Sequence, residues 1–358
     1  MVTNMNKKIT AVLLVSIFLT SIVAILAADG DVIWEKIGPV DSGLATGVAV
    51  DSKDNIIVIN NFGNTMLKYS SNGNLLTTIS FNVSFYGQGV AVDSKDNIIV
   101  TGNVTRKYDP NGNLLTEISF GGNGVAVDSK DNIIVTGNVT RKYDPNGNLL
   151  TEISFGGNGV AVDSKDNIIV TGGFTTGKYS SSGIPIWEKT FDSGGFSEDS
   201  YGVATDSLDN VIVSGYNDNS VSTYASIIVK YSPDGTKLWD IIDDTEPRAS
   251  YKVAVDSYNN IIVAGGRDDS LSWLSPDWLT KKYDPNGNKI WERSFDFAGN
   301  NEGYAVAIDS KNDIIVTGFI TNGGEKNYII KYQGTPPRSK SLPIAKILEI
   351  LKRNKKKK

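Results

Sequence analysis

The 358-residue chain contains no cysteine and no histidine. Without cysteine there is no disulfide, no thiolate metal site and no cysteine nucleophile. Without histidine, serine–histidine hydrolysis and histidine-ligated zinc also drop out. Basic residues are scarce where the bulk of the chain lies. Of 35 Lys/Arg, Lys7 and Lys8 precede residue 29 and nine follow residue 334, leaving 24 against 39 acids between them, a net of −15. A body of that charge repels phosphate backbones, so nucleic acid is not an expected partner.

One long apolar stretch is present, residues 9–28, directly after Lys7-Lys8. A basic start, an apolar run and small residues at its end read as a signal peptide or, at about 20 residues, an N-terminal membrane anchor. Leu26 stands where a small residue would favour cleavage after Ala28. Either outcome puts the body outside the cell, free or anchored to the outer face of the cytoplasmic membrane. At the other end, 335–358 opens with Thr335-Pro336-Pro337. Beyond Pro343, the residues Ile344, Ile347, Leu348 and Leu351 fall on one helical stripe among lysines. This basic tail reads either as a solubilising appendage or as an amphipathic segment that contacts anionic membrane or wall polymer.

Between the ends the chain repeats itself. The phrase GVAVDSKDNIIV recurs with its Asp at Asp51, Asp93, Asp128, Asp163, Asp206, Asp256 and Asp309, and residues 90–124 are identical to 125–159. Each copy holds four short runs rich in β-branched and aromatic residues, separated by D-S-K-D-N and D-P-N-G-N turn sequences. Four antiparallel strands per unit make one blade of a β-propeller. The seventh copy stops at Lys331-Tyr332-Gln333-Gly334, one strand short, and DGDVIWEK (29–36) aligns without a gap on NGNKIWER (286–293). The expected fold is therefore an all-β, seven-bladed propeller over 29–334, whose N-terminal strand (29–38) completes the last blade and closes the ring. Through G-V-A-V-D-S-x-D-N-I-I-V-T-G the repeats resemble the SBBP family of propeller repeats and, more distantly, NHL repeats. That resemblance implies the fold and a secreted archaeal or bacterial setting, but no reaction.

Spacing locates the variable face. The repeat Asp and the last Val of I-I-V are seven residues apart in every copy (Asp51 to Val58, Asp309 to Val316). From that Val to the Lys of K-Y the distance runs 10, 7, 7, 8, 17, 19 and 15. Variation thus gathers on one face, in blades five to seven, where a rigid scaffold carries binding loops. The residues two before the first Val of each inner strand ring the central mouth on that face: Thr46, Gln88, Asn123, Asn158, Tyr201, Tyr251 and Tyr304. Lys252 stands where most blades have glycine.

Trp34, Trp187, Trp239 and Trp291 share one repeat position and read as structural. Trp273 and Trp278 lie in the blade-six insertion with Asp268, Asp269 and Asp277. They are candidate ligand contacts, or alternatively caps on the next blade. The candidate ligand-binding set is Tyr201, Tyr251, Lys252, Tyr304, Trp273, Trp278, Gln88, Asn123 and Asn158, for a carbohydrate or protein ligand. The turn aspartates read as Asx turns rather than calcium ligands, and no metal or cofactor is expected. The alternative is a lyase, glycosidase or quinoprotein-like enzyme that uses Tyr, Lys and carboxylates such as Asp199 and Glu302.

Overall fold

The structure, a computed structural model, describes residues 28–38, 43–61, 64–81, 86–194, 197–218, 224–243, 248–267, 278–295, 301–321 and 324–334. They form 28 strands, with no helix among the described residues. Blade one is β2 (Ala45–Val50), β3 (Ile56–Asn60), β4 (Thr65–Tyr69) and β5 (Leu75–Ser80). Blades two to six follow as β6–β9 (89–118), β10–β13 (124–153), β14–β17 (159–190), β18–β21 (197–243) and β22–β25 (248–295). Blade seven takes β26 (Asn301–Ile308), β27 (Ile314–Ile320) and β28 (Lys326–Tyr332) from the end of the chain, and β1 (Val32–Ile37) from its beginning. β1 runs antiparallel to β28, with Trp34 opposite Lys331 and Ile37 opposite Tyr328. The expected seven blades and their permuted closure are both present.

The I-I-V run is the second strand of every blade, and its three residues are 0–2% exposed in all seven. A strand covered on both faces by neighbouring blades has no solvent side, so it reads as a continuous apolar run rather than an alternation. The turn before it explains the aspartates. Asp51 Oδ1 accepts the backbone N–H groups of Lys53 and Asn55, and its Oδ2 accepts the Asn55 amide. The fourth residue of that turn (Asp54, Asp96, Asp131, Asp166, Asp209, Asn259, Asn312) sits at φ 61–66°, a left-handed conformation that Asp and Asn tolerate.

Those left-handed residues also link the blades. Ser52 donates from its backbone to Asp96, Ser94 to Asp131, Ser129 to Asp166, Ser164 to Asp209, Ser207 to Asn259 and Ser257 to Asn312. Ser310 closes the circle on Asp54. A second ring is ionic. The Lys of K-Y pairs with the repeat Asp of its own blade, at 2.6–3.2 Å, in all seven blades (Lys68–Asp51 through Lys331–Asp309). In most blades the same ammonium also reaches the next blade, as Lys230 does to the Pro285 carbonyl at 3.1 Å.

The repeated tryptophans form a third link. The indole N–H groups of Trp34, Trp187 and Trp239 donate to the carbonyls of Ser71, Pro233 and Pro285 in the following blade. The Trp187 ring lies over Gly235, where an added Cβ would come within 2.9 Å of it. Trp291 lies over Gly30 in the same way, across the closure. The structural reading of these four residues holds.

Candidate functional site

The inner strands stand close around a narrow axis, which their glycines permit. A Cβ on Gly159 would lie 2.9 Å from the Tyr201 carbonyl of the next blade, and one on Gly202 would lie 2.8 Å from the Val253 nitrogen. The axial channel is therefore small, about 130 Å³, lined by Gly47, Gly89, Gly124, Gly159, Gly202 and, from blade six, Lys252. Above it the channel opens into a cavity of about 380 Å³. Gln88, Asn123, Asn158, Tyr201, Tyr251, Lys252 and Tyr304 all line this cavity, together with Thr46, Leu44 and Asn61. Seven of the nine sequence-derived candidates thus meet at one mouth.

Backbone irregularity aims the tyrosines. Pairing of the inner strand with its neighbour skips a residue between Ser200 and Gly202, between Ser250 and Lys252, and between Gly303 and Ala305. The bulged residues are Tyr201, Tyr251 and Tyr304; Thr46 occupies the same bulge in blade one. A bulge inserts one residue and redirects its side chain. In blades two to four the inner strand begins only at the glycine. Gln88, Asn123 and Asn158 precede it, each donating its N–H to the second strand (Thr101, Thr136 and Thr171 carbonyls).

The mouth has two unlike halves. Tyr201 meets Tyr251 edge-on at 5.9 Å, and Tyr251 meets Tyr304 at 5.2 Å. The arc is extended at its ends by Tyr216, stacked on Tyr201 at 5.8 Å, and Phe319, stacked on Tyr304 at 5.8 Å. Opposite lies a ladder of carboxamides. Asn123 Nδ2 donates to Asn158 Oδ1, and Asn158 Nδ2 donates to Asp199 Oδ1 at 3.0 Å. Asp199 Oδ1 also accepts the Gly173 and Ser200 N–H groups, so this carboxylate is tied into the wall. Burial, and then the neighbouring phenols and carboxylates, hold Tyr201, Tyr251 and Tyr304 well above the ordinary tyrosine pKa, so all three are neutral at physiological pH. Lys252 donates to the Tyr201 carbonyl at 2.7 Å and the Asn158 carbonyl at 3.3 Å. Its burial lowers its pKa to about 8.

Two tryptophan expectations fare differently. Trp273 lies outside the described residues. Trp278 does not reach the mouth: it begins β24 (Trp278–Tyr283), is 0% exposed, and packs edge-on against Tyr328 at 5.3 Å. Its ring fills the space over two blade-seven glycines, Gly303 and Gly318, so for this residue the alternative reading, a cap on the next blade, holds. The reason is that the extra residues of blades five to seven are spent partly on longer strands. β18 (Ser197–Thr205), β19 (Val211–Asp218) and β20 (Tyr224–Tyr231) have 8–9 residues, against 4 in the first three strands of blade three. In blade six, β23 (Ile261–Arg267) keeps pairing as far as Gly266 opposite Trp278, which draws that tryptophan into the sheet.

Tyr216 and Phe319 were not singled out from sequence. Their signal is the third residue after I-I-V, which reads Asn61, Asn103, Asn138, Gly173, Tyr216, Gly266 and Phe319 around the ring.

The chain is a β-propeller built of tandem repeats. A family described as a MORN repeat variant matches residues 103–120 and 138–155, which are the outer hairpins of blades two and three. No curated protein matches the sequence. Among solved structures, virginiamycin B lyase from Staphylococcus aureus is similar at TM-score 0.62 and 11% identity, over 83% of this chain and 98% of that one. A structure of the mitotic checkpoint complex matches at TM-score 0.62 and 11% identity (87% and 94%). The C-terminal WD40 domain of Sif2 matches at 0.57 and 13% (85% and 82%). At these identities the likeness is one of fold.

Proposed function

We propose that the protein is an extracellular or surface-anchored binding module of SBBP type that takes a carbohydrate at the mouth formed by Tyr201, Tyr251, Tyr304, Lys252, Gln88, Asn123 and Asn158. The observation that carries this reading is the division of the mouth into an aromatic arc and a carboxamide arc. Aromatic faces stack on the apolar face of a sugar ring, while amides exchange hydrogen bonds with its hydroxyls. The apolar run 9–28 and the basic tail 335–358 lie outside the described residues. They are assigned by this reading to export or anchoring and to contact with anionic membrane or wall polymer.

Catalysis is the less favoured reading. A variant of the similar lyase in which one histidine is replaced by alanine is catalytically inactive, and this chain has no histidine to offer. The acid nearest the amide ladder, Asp199, has its Oδ1 occupied by three donors and lines the recess beside the mouth rather than the mouth itself.

The test is a glycan array probed with the full chain, followed by calorimetry on the retained glycans. Tyr251→Ala and Tyr304→Ala should each weaken binding by roughly 1–3 kcal/mol, as hot-spot aromatics do. A ligand whose affinity ignores both changes, or one mapped to the opposite face around Asp128 and Asn146, would show the reading to be wrong.

A further inference from the structure

The interior of this propeller treats its lysines in one consistent way, with one exception. Lys68, Lys107, Lys142, Lys178, Lys230, Lys281, Lys282 and Lys331 are buried, and each has a carboxylate within 3.2 Å. Lys252 is also drawn into the ring, yet has no carboxylate partner among the described residues. Its ammonium carries three N–H donors and spends two on the Tyr201 and Asn158 carbonyls. Burial alone depresses its pKa, with no opposite charge to restore it. Part of the side chain remains open to the cavity, whose lining contains no acid among the described residues. An enclosed charge without a counter-charge is costly. Here the cost is optional, since five of the other six blades have glycine at this position (Gly47, Gly89, Gly124, Gly159, Gly202).

The geometry points to a ligand that brings the missing charge: we propose that the mouth takes an acidic sugar, a uronate or sialate unit whose carboxylate sits on the Lys252 ammonium between Tyr201 and Tyr251. This rests on the mouth being a glycan site and names the class of glycan. The lysine supplies a single positive charge, and no arginine lines the cavity with it among the described residues, so it balances a monoanionic carboxylate, whereas a phosphate monoester would bring about −1.5 to −2. The acidic body disfavours polyanions, whereas a single carboxylate feels chiefly its local contact once salt screens the rest beyond about 8 Å. Gln88 makes no side-chain hydrogen bond among the described residues and Asn123 keeps its carbonyl oxygen unused, so both remain for sugar hydroxyls.

The full chain is titrated calorimetrically with uronate- and sialate-bearing oligosaccharides and with their methyl esters, which keep the shape and lose the charge. At least one acid should bind tenfold or more tighter than its ester. Lys252→Gly, which restores the residue of five other blades, and Lys252→Met, which keeps the stem, should each abolish that preference. The readout is the ratio of acid to ester affinity for each variant, which should fall to about one whatever the change does to both affinities together. Equal or tighter binding of the esters overturns the inference, as does a preference that survives both Lys252 changes, or retention of neutral glycans alone on the array. In those cases loss of affinity in Tyr251→Ala would still uphold the mouth. If no glycan of either kind binds, the mouth reading and this inference fall together.

Discussion

Removing residues 28–38 tests the closure of the ring most directly. The segment carries the whole of β1, so blade seven would keep three strands and expose the edge of β28. Five ladder positions from Val32 to Ile37 would be lost. The flanking bonds Gly30 N–Gln333 O, Gln333 N–Asp31 O and Gly38 N–Asn327 O would go with them. At about 1 kcal/mol net per hydrogen bond the backbone alone contributes roughly 5–8 kcal/mol. Trp34 adds its packing against the blade-one cluster and its bond to Ser71, about 2–3 kcal/mol more. Glu35 also leaves the Tyr328 hydroxyl, and Asp29 leaves Lys282. A loss near 8–10 kcal/mol is comparable with the entire stability of an ordinary domain. The truncated chain should therefore melt at least 15 °C below the full chain by circular dichroism, or fail to give a cooperative transition. A synthetic 28–38 peptide added in trans should recover part of the difference, because it restores the pairing without the covalent link. Melting within two degrees of the full chain would refute the reasoning.

Lys142→Met should cost about 3–5 kcal/mol in chemical denaturation, since it leaves Asp128 buried without its cation; a loss under 1 kcal/mol would show that the pair is not structural. The same ring sets the acid limit. Burial opposes ionisation of Asp51, Asp93, Asp128, Asp163 and Asp206, but hydrogen bonds from their Asn and Lys partners outweigh it and hold the folded pKa values below 3.8. A depressed carboxylate contributes stability that is complete above its unfolded pKa and lost as pH falls through the folded one. Unfolding free energy should thus hold from neutral pH to about pH 5 and decline progressively below it, and a decline already evident between pH 7 and 6 would contradict it. Trp187→Ala should lower stability by about 2–3 kcal/mol through its lost packing on Gly235 and Tyr231 and its lost bond to Pro233. Glycan affinity per folded molecule should not change, because this residue lies on the outer strand.

The fold was legible because tandem copying turns a three-dimensional question into an alignment of the chain with itself. The offset of one strand between DGDVIWEK and the end of the seventh copy left one way to close the ring, and β1 on β28 is that way. The inter-blade links were not legible in the same sense. Asp54 and its equivalents could be read as turn formers, but that the left-handed Asp accepts from the serine of the preceding blade depends on how far apart two blades stand. Trp278 shows the opposite hazard. Having no counterpart in the other repeats made it look like a loop residue, whereas the insertion had lengthened a hairpin and carried it into the core. Spacing between motifs counts residues; it does not say whether they continue the ladder.

The mouth was legible for a related reason: the position before each inner strand is fixed by the repeat, while its side chain is free to differ. Copying alone yields seven equal positions, and blades two and three, identical over 35 residues, show what copying leaves behind. The other side has departed from it in several coupled respects. The inner strands of blades five to seven begin earlier and bulge, which turns Tyr201, Tyr251 and Tyr304 inward. Tyr216 and Phe319, on the neighbouring strands, stack behind the first and third of them. Lys252 replaces the glycine below. None of these changes is required to close the ring, since blades two to four close against their neighbours without bulge, tyrosine or lysine. The lysine adds an enclosed charge that the ring does not need. Features that closure does not require, that sit together and that face one cavity are not accounted for by packing of the ring, which is why the ligand is sought there rather than on the uniform face of turns.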